Sequence, residues 1–174
     1  MKFKRNLFLQ AILLIVCGIV SGCSSNKSTA KLYSNSKEWV LPSFLENNKV
    51  GGAFYKNPNY VEGQDELDEE YYYDEESPAS RTFIITDREK YNTVFVEDSL
   101  KVDFEKEMVI LYIFPDVYSR EYQLEELSVN DQIVTVKYKL ESSDKKDATA
   151  PYQRCMVLKM EKSDVLSAEF IEIR

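Results

Sequence analysis

The chain has 174 residues, three cysteines and no histidine, and these facts limit the chemistry it can perform. Without an imidazole to take the nucleophile's proton, no Cys/His pair or Ser/His/Asp triad can be assembled, and neither can a His-bound zinc or iron centre. Glycine occurs five times and never in the GxGxxG or GxxxxGK pattern that cradles phosphate, so no nucleotide and no cofactor is implied. Carboxylates, lysines, tyrosines and a thiol remain. Cys155 stands in an alternating strand-like run with only Arg154 and Lys159 as nearby cations. A reactive thiol needs an exposed, electropositive setting, so an inert and mostly buried Cys155 is expected.

Cys17 and Cys23 belong to a different pattern. Lys2, Lys4 and Arg5 precede an almost uncharged apolar run over residues 7–20, which leaves through the small residues Gly18, Ser21 and Gly22. The run is shorter than the roughly 20 apolar residues of a spanning helix and reads as a secretory signal. Val20-Ser21-Gly22-Cys23 resembles the bacterial lipobox, in which the cysteine thiol receives diacylglycerol and the signal is cut just before it. The resemblance implies a signal peptide over residues 1–22 and lipidation at Cys23. It further implies an extracytoplasmic protein anchored in the bilayer of a cell membrane or outer membrane. An ordinary signal with a coincidental cysteine is the alternative. The sequence SSNKSTAKLY after Cys23 is small and polar, so residues 23–37 are expected to be a flexible tether.

The full sequence has 22 basic and 30 acidic residues; losing Lys2, Lys4 and Arg5 with the signal leaves 19 against 30, a net charge of −11. Nucleic acid is therefore excluded as a natural partner, because phosphate recognition needs clustered Lys and Arg. Nine of the carboxylates fall in VEGQDELDEEYYYDEESP, residues 61–78, which contains no basic residue. Such a density of like charge predicts a mobile solvated loop in an N-terminal extension spanning residues 38–80. A calcium site is the sharper alternative, although the D-x-D-x-D-G spacing is missing. Tyr71, Tyr72 and Tyr73 supply contact area at low entropic cost and are candidate partner-binding residues; the same run also reads as an edge strand capped by charge.

The elements that would position these residues sharpen after residue 80. RTFIIT (81–86) is strand-like, and Thr86-Asp87-Arg88-Glu89 has the form of a capping box before a helical stripe of Tyr91, Val94 and Phe95. MVILYIF (108–114) is apolar on both alternating sets and predicts a central strand buried on both faces. Arg120, Tyr122 and Leu124 alternate, Asn130-Asp131 signals a turn, and Val134, Val136, Tyr138 and Leu140 share one face, which together predict a hairpin with one wet side. ESSDKKDA (141–148) reads as a polar loop, Pro151-Tyr152 opens a further strand to Met160, and AEFIEI ends the sequence as a last strand. EWVLPSFL (38–45) and the following Ala53-Phe54-Tyr55 predict short strands or a loop, with Pro42 arguing against a central strand. The fold class is α+β, predominantly antiparallel sheet with about one short helix.

Asp103-Phe104-Glu105 ahead of the buried strand and Pro151-Tyr152 opening the late one, in this element order, resemble the C-terminal domain family of the protease complex subunit PrcB. The match covers residues 81–174. Where that family tends to have a glycine pair before a tyrosine, this chain has Ser119-Arg120-Glu121-Tyr122. The resemblance implies a non-catalytic accessory domain on a bacterial lipoprotein. With it, the residues lead to a membrane-anchored binding module that docks or stabilises another exported protein. A carboxylate-dependent glycan hydrolase and an acidic metal- or ligand-sensing lipoprotein are the alternatives.

Overall fold

The computed structural model describes residues 29–61, 63, 70–141, 145, 146 and 148–173. The signal region with Cys17, the lipidation candidate Cys23 and residues 64–69 of the acidic segment lie outside the described residues. In sequence order the strands and helices begin with β1 (Lys31–Tyr33), a 3-10 turn (Lys37–Trp39), α1 (Pro42–Asn47), β2 (Ala53–Lys56), β3 (Tyr71–Asp74), β4 (Arg81–Ile85) and α2 (Arg88–Val94). There follow β5 (Glu107–Asp116), β6 (Tyr118–Ser119), β7 (Tyr122–Asn130), β8 (Ile133–Leu140), β9 (Lys145–Lys146), β10 (Tyr152–Glu161) and β11 (Ser167–Glu172). The fold is α+β and predominantly antiparallel.

A four-stranded antiparallel sheet in the order β1-β10-β5-β4 forms the middle layer. β5 holds that position because it is apolar on both faces: Met108, Val109, Ile110, Leu111 and Ile113 are all fully buried. One face, Met108 and Ile110 with Leu158 and Met160 of β10, packs on Val134 and Val136 of β8 and Ala168 of β11. The other face, Val109, Leu111 and Ile113 with Cys155 and Val157, packs on Val40, Leu45, Tyr91, Val94 and Phe95. The result is three layers: a small helical layer, the central sheet, and a second sheet ordered β11-β8-β7. Truncating a side chain such as Leu111 to alanine would cost about 2–5 kcal/mol, since neither layer can collapse into the gap.

The ends of the molecule depart from the sequence reading. Residues 31–33, expected in a flexible tether, pair with β10 as an edge strand of the central sheet, and Ser36 is buried with its hydroxyl on the carbonyl of Tyr33 at 2.9 Å. Leu32 and Tyr33 lie opposite Leu158 and Val157, and that apolar pairing outweighs the polar composition of the segment. Residues 42–47, expected as strand or loop, are helical, with Pro42 in the first turn, where its missing N–H costs nothing. Val40, Leu45, Val50 and Ala53 share a buried cluster with β5, so residues 38–80 contribute to the same core as the rest.

Three further differences are local. The cap of α2 is Asp87, whose Oδ1 accepts from the Lys90 N–H at 2.8 Å, instead of Thr86. The β7–β8 hairpin forms, but its turn is centred on Asp131 and Gln132, both at positive φ (50° and 62°), and a bulge between Leu124 and Glu126 turns both Leu124 and Leu127 toward the second sheet's buried face. Lys145–Lys146, within the expected polar loop, pair with Tyr118–Ser119. β11 runs parallel to β8, because the backbone leaves the second sheet for the central one through β10 before returning.

Candidate functional site

The tyrosine run is where structure and chemistry meet most openly. Tyr71–Asp74 is strand β3, paired antiparallel to β2 in the register Lys56↔Tyr71, Tyr55↔Tyr72 and Phe54↔Tyr73. A strand turns alternate side chains to opposite faces, so the three tyrosines separate. Tyr71 and Tyr73 remain exposed, at 39% and 45%, and share the outer face with Phe54. The Phe54 and Tyr73 rings lie 4.9 Å apart, and Tyr71 meets Tyr152 edge-on at 6.4 Å. Among the described residues β3 has a single strand neighbour, so its other edge is open.

Tyr72 faces inward, which corrects the reading of all three tyrosines as one contact surface. Its ring lies 5.9 Å from that of Tyr55, and Lys49 donates to the Tyr72 hydroxyl at 2.5 Å with its ammonium 5.3 and 5.2 Å from the Tyr55 and Tyr72 ring centroids. Tyr55 in turn accepts from the Val50 N–H at 2.8 Å and donates to the Val50 carbonyl at 3.0 Å. Burial raises the Tyr55 hydroxyl above the usual tyrosine range, so it stays a neutral donor in this cluster. The inner face thus fixes the hairpin to the body, and the outer face is left available.

The hairpin's end is equally fixed. Asp74 accepts from the N–H groups of Ser77 and Glu76 at 2.9 and 3.0 Å and from the Ser77 hydroxyl at 2.9 Å. Those bonds, led by the Ser77 N–H, hold its carboxyl below the usual range. Gly52 sits at φ +79° with Pro115 Cγ 3.5 Å from the place of a Cβ. Residues 70–78 are therefore a built element, not the mobile loop expected for all of 61–78. Glu70, Glu75 and Glu76 are exposed beside the aromatic face.

On the inner side of the hairpin, between it and α1, lies a cleft of about 510 Å³ lined by residues that include Lys37, Val40, Leu45, Lys49 and Tyr55. Gln153, only 4% exposed, also lines it. These residues lie far apart in the sequence, and no local pattern joins them; the only sequence signal was that Gln153 and Cys155 occupy one face of β10. Cys155 is 1% exposed, and burial pushes its thiol up to about 12, with Lys37 pulling weakly the other way. It has the inert character expected of it.

Other chemistry finds little support in the geometry. The carboxyl groups with a clear shift, Asp74, Asp103 and Glu107, are all lowered by hydrogen bonds, whereas a general acid needs the opposite. Among the described residues no group of three or more Cys, Asp and Glu side chains is placed to hold a metal ion, and no helix is long and apolar enough to cross a membrane. No family model, curated protein or solved structure matches the sequence.

Proposed function

We propose that this protein is a lipid-anchored, extracytoplasmic binding module that docks or stabilises another exported protein and does not itself catalyse. The observation that carries the reading is the outer face of β3. Tyr71 and Tyr73 are exposed on an open strand edge, flanked by Glu70, Glu75 and Glu76. An open edge supplies main-chain hydrogen bonds to an extended segment, aromatic rings add contact area, and the carboxylates favour a segment carrying Lys or Arg. The resemblance to the PrcB C-terminal domain family agrees with an accessory role. The absence of histidine from the whole sequence and the downward shifts of Asp74, Asp103 and Glu107 weigh against the glycan hydrolase.

The test is a photo-crosslinking residue at position 75 in intact cells, compared between the wild type and a Tyr71→Ser/Tyr73→Ser variant. An adduct to an exported protein that weakens about tenfold in the variant and fades at high salt supports the reading. An adduct of equal strength in both overturns the role of this face. Turnover of a glycan that is abolished by one carboxylate substitution overturns the non-catalytic reading. For the anchor, Cys23→Ser is expected to leave an uncut precursor or to release the protein from membranes; processing and fractionation like the wild type overturn it.

A further inference from the structure

The first described residues and the open β3 edge lie at opposite ends of β10. Thr29 donates to Glu161 at 3.3 Å, Lys31 pairs with Lys159, and Ala30 and Leu32 pack on the cluster that holds Met160 and Val165. The polypeptide therefore enters the fold at the C-terminal end of β10. At the other end Tyr152 meets the ring of Tyr71, and the Phe54 N–H donates to the Pro151 carbonyl at 2.9 Å, which seats the β2–β3 hairpin there. The 10 residues of β10 span about 30 Å of extended strand.

The entry end carries the most exposed large apolar side chain among the described residues, Leu166 at 76%. Its N–H donates to the Gln132 carbonyl at 2.8 Å, which holds the loop after β10 against the β7–β8 turn, and Val129 beside that turn is exposed as well. Lys31, Lys106 and Lys162 are exposed at this end together with Asp131, Glu161 and Asp164, so both signs of charge are present. A single exposed leucine is ordinary on a protein surface, and its meaning here comes from what the tether brings to it. With Cys23 acylated, six residue steps join the lipid to Thr29, a reach of at most about 20 Å. That is shorter than β10, so the Leu166 end stays close to the headgroups, whereas the β3 edge meets them only if the molecule lies flat. Lying flat would press Glu70, Glu75 and Glu76 toward lipid phosphates, which their charge opposes.

We infer that the Leu166 end is a lipid-contacting surface on which the protein stands. Leu166 enters the boundary between headgroups and acyl chains, and the lysine and carboxylate groups around it meet the phosphate and ammonium of zwitterionic headgroups. The β3 edge is then held about 30 Å farther from the bilayer, where it can reach only a segment that its partner presents clear of the membrane. The inference rests on the Cys23 anchor of the proposed function and adds the orientation of the anchored molecule.

The full chain is expressed with its signal, purified from membranes and placed in phosphatidylcholine vesicles that carry a nitroxide near the top of the acyl chain. A fluorophore is attached through Ser167→Cys, beside Leu166, or through Tyr73→Cys; both positions are exposed, and the buried Cys155 stays unlabelled. The nitroxide is expected to quench the label at 167 at least about twofold more than the label at 73, and adding Leu166→Ser is expected to remove about half of that quenching. Equal quenching at the two positions, or none at 167, overturns the orientation. Quenching at 167 that is unchanged by Leu166→Ser overturns the insertion of Leu166. The mass of the N-terminal peptide in the same sample separates the two readings. If Cys23 carries diacylglycerol and the label at 167 is not quenched, this inference fails alone; if Cys23 is bare, the anchor reading fails and this inference with it.

Discussion

The backbone of Gly51 lies against the carbonyl of Ser77 so closely that a Cβ on Gly51 would overlap its oxygen. The same approach brings the Gly51 N–H to the Pro78 carbonyl at 2.9 Å and the Gly52 N–H to that of Asp74 at 2.7 Å. Since backbone cannot rotate away as a flexible side chain can, Gly51→Ala is expected to cost about 1–3 kcal/mol, the usual range for overpacking. Urea unfolding measures it. A midpoint equal to that of the wild type would mean that this clasp does not exist in solution.

The acidic segment is expected to divide in two under deletion. Removing residues 64–69 shortens the link between Lys56 and Tyr71, which already face each other across the hairpin, so stability should change by less than about 1 kcal/mol. Removing residues 71–76 deletes β3 with the Tyr72 and Asp74 contacts and should cost about 2–4 kcal/mol. Similar melting temperatures for the two deletions would contradict the division.

The tyrosines should separate in the same way. Tyr72→Ala removes a half-buried ring and the acceptor of Lys49, and a loss of about 1–3 kcal/mol is expected. Tyr71→Ser and Tyr73→Ser alter exposed side chains and should each stay within about 0.5–1 kcal/mol of the wild type. Thermal denaturation of the three single variants gives the order directly, and equal losses would remove the distinction between inner and outer face.

Acid should weaken the fold through named carboxylates. Glu107 is held below the usual range first by the Asp103 N–H at 2.9 Å, with Lys159 at 3.1 Å adding to it, and Asp74 by the Ser77 N–H. Their folded values lie below the unfolded ones, so their contribution is complete above the ordinary carboxylate value of about 4 and is lost as pH falls through the folded values. Urea midpoints between neutral pH and pH 2 are expected to fall less steeply in Asp74→Asn and Glu107→Gln. Curves parallel to the wild type would assign the acid sensitivity elsewhere.

Alkali should act through Cys155 and Tyr122. Burial pushes each up to about 12, with Asp116 and Glu172 adding to the shift at Tyr122. Because the folded values exceed the unfolded ones, the stability from these groups is full below the unfolded values, about 8.5 for Cys and about 10 for Tyr, and is lost as pH rises toward the folded ones. A thiol reagent should label Cys155 only at the rate of unfolding, and that rate should climb above about pH 9. Fast labelling at neutral pH would show an accessible thiol.

How much could be read in advance follows from where each signal resides. β5 was legible because a strand covered on both sides must be apolar on both alternating sets, and Met108 to Ile113 are. The β7–β8 hairpin was legible from alternation and a turn, but its bulge was not, since an extra residue at Glu125 leaves composition unchanged. β1 offers only Lys-Leu-Tyr, and what makes it a strand is β10, far along the sequence. α1 carries an ambiguous signal, because Pro42 forbids a central strand but also begins helices. Parallel pairing of β11 leaves no mark on its side-chain pattern. The outer tyrosine face follows from alternation once the run is a strand, whereas Val40, Leu45, Tyr55 and Gln153 come to line one cleft only through tertiary packing.

The side chains of Thr29 and Glu161, 132 residues apart in sequence, are joined by a hydrogen bond beside the β1–β10 pair. β10 is also the strand that links β1 to β5, so the middle layer stays two separate pieces until residue 161 is present. A polypeptide emerging N-terminus first from a ribosome carries β1 without a strand partner until β10 has followed it. Non-local pairing of this kind delays closure, because loop entropy is lost before the contacts reward it. The order of synthesis thus works as a timer: β1 can join the central sheet only once β10 has emerged.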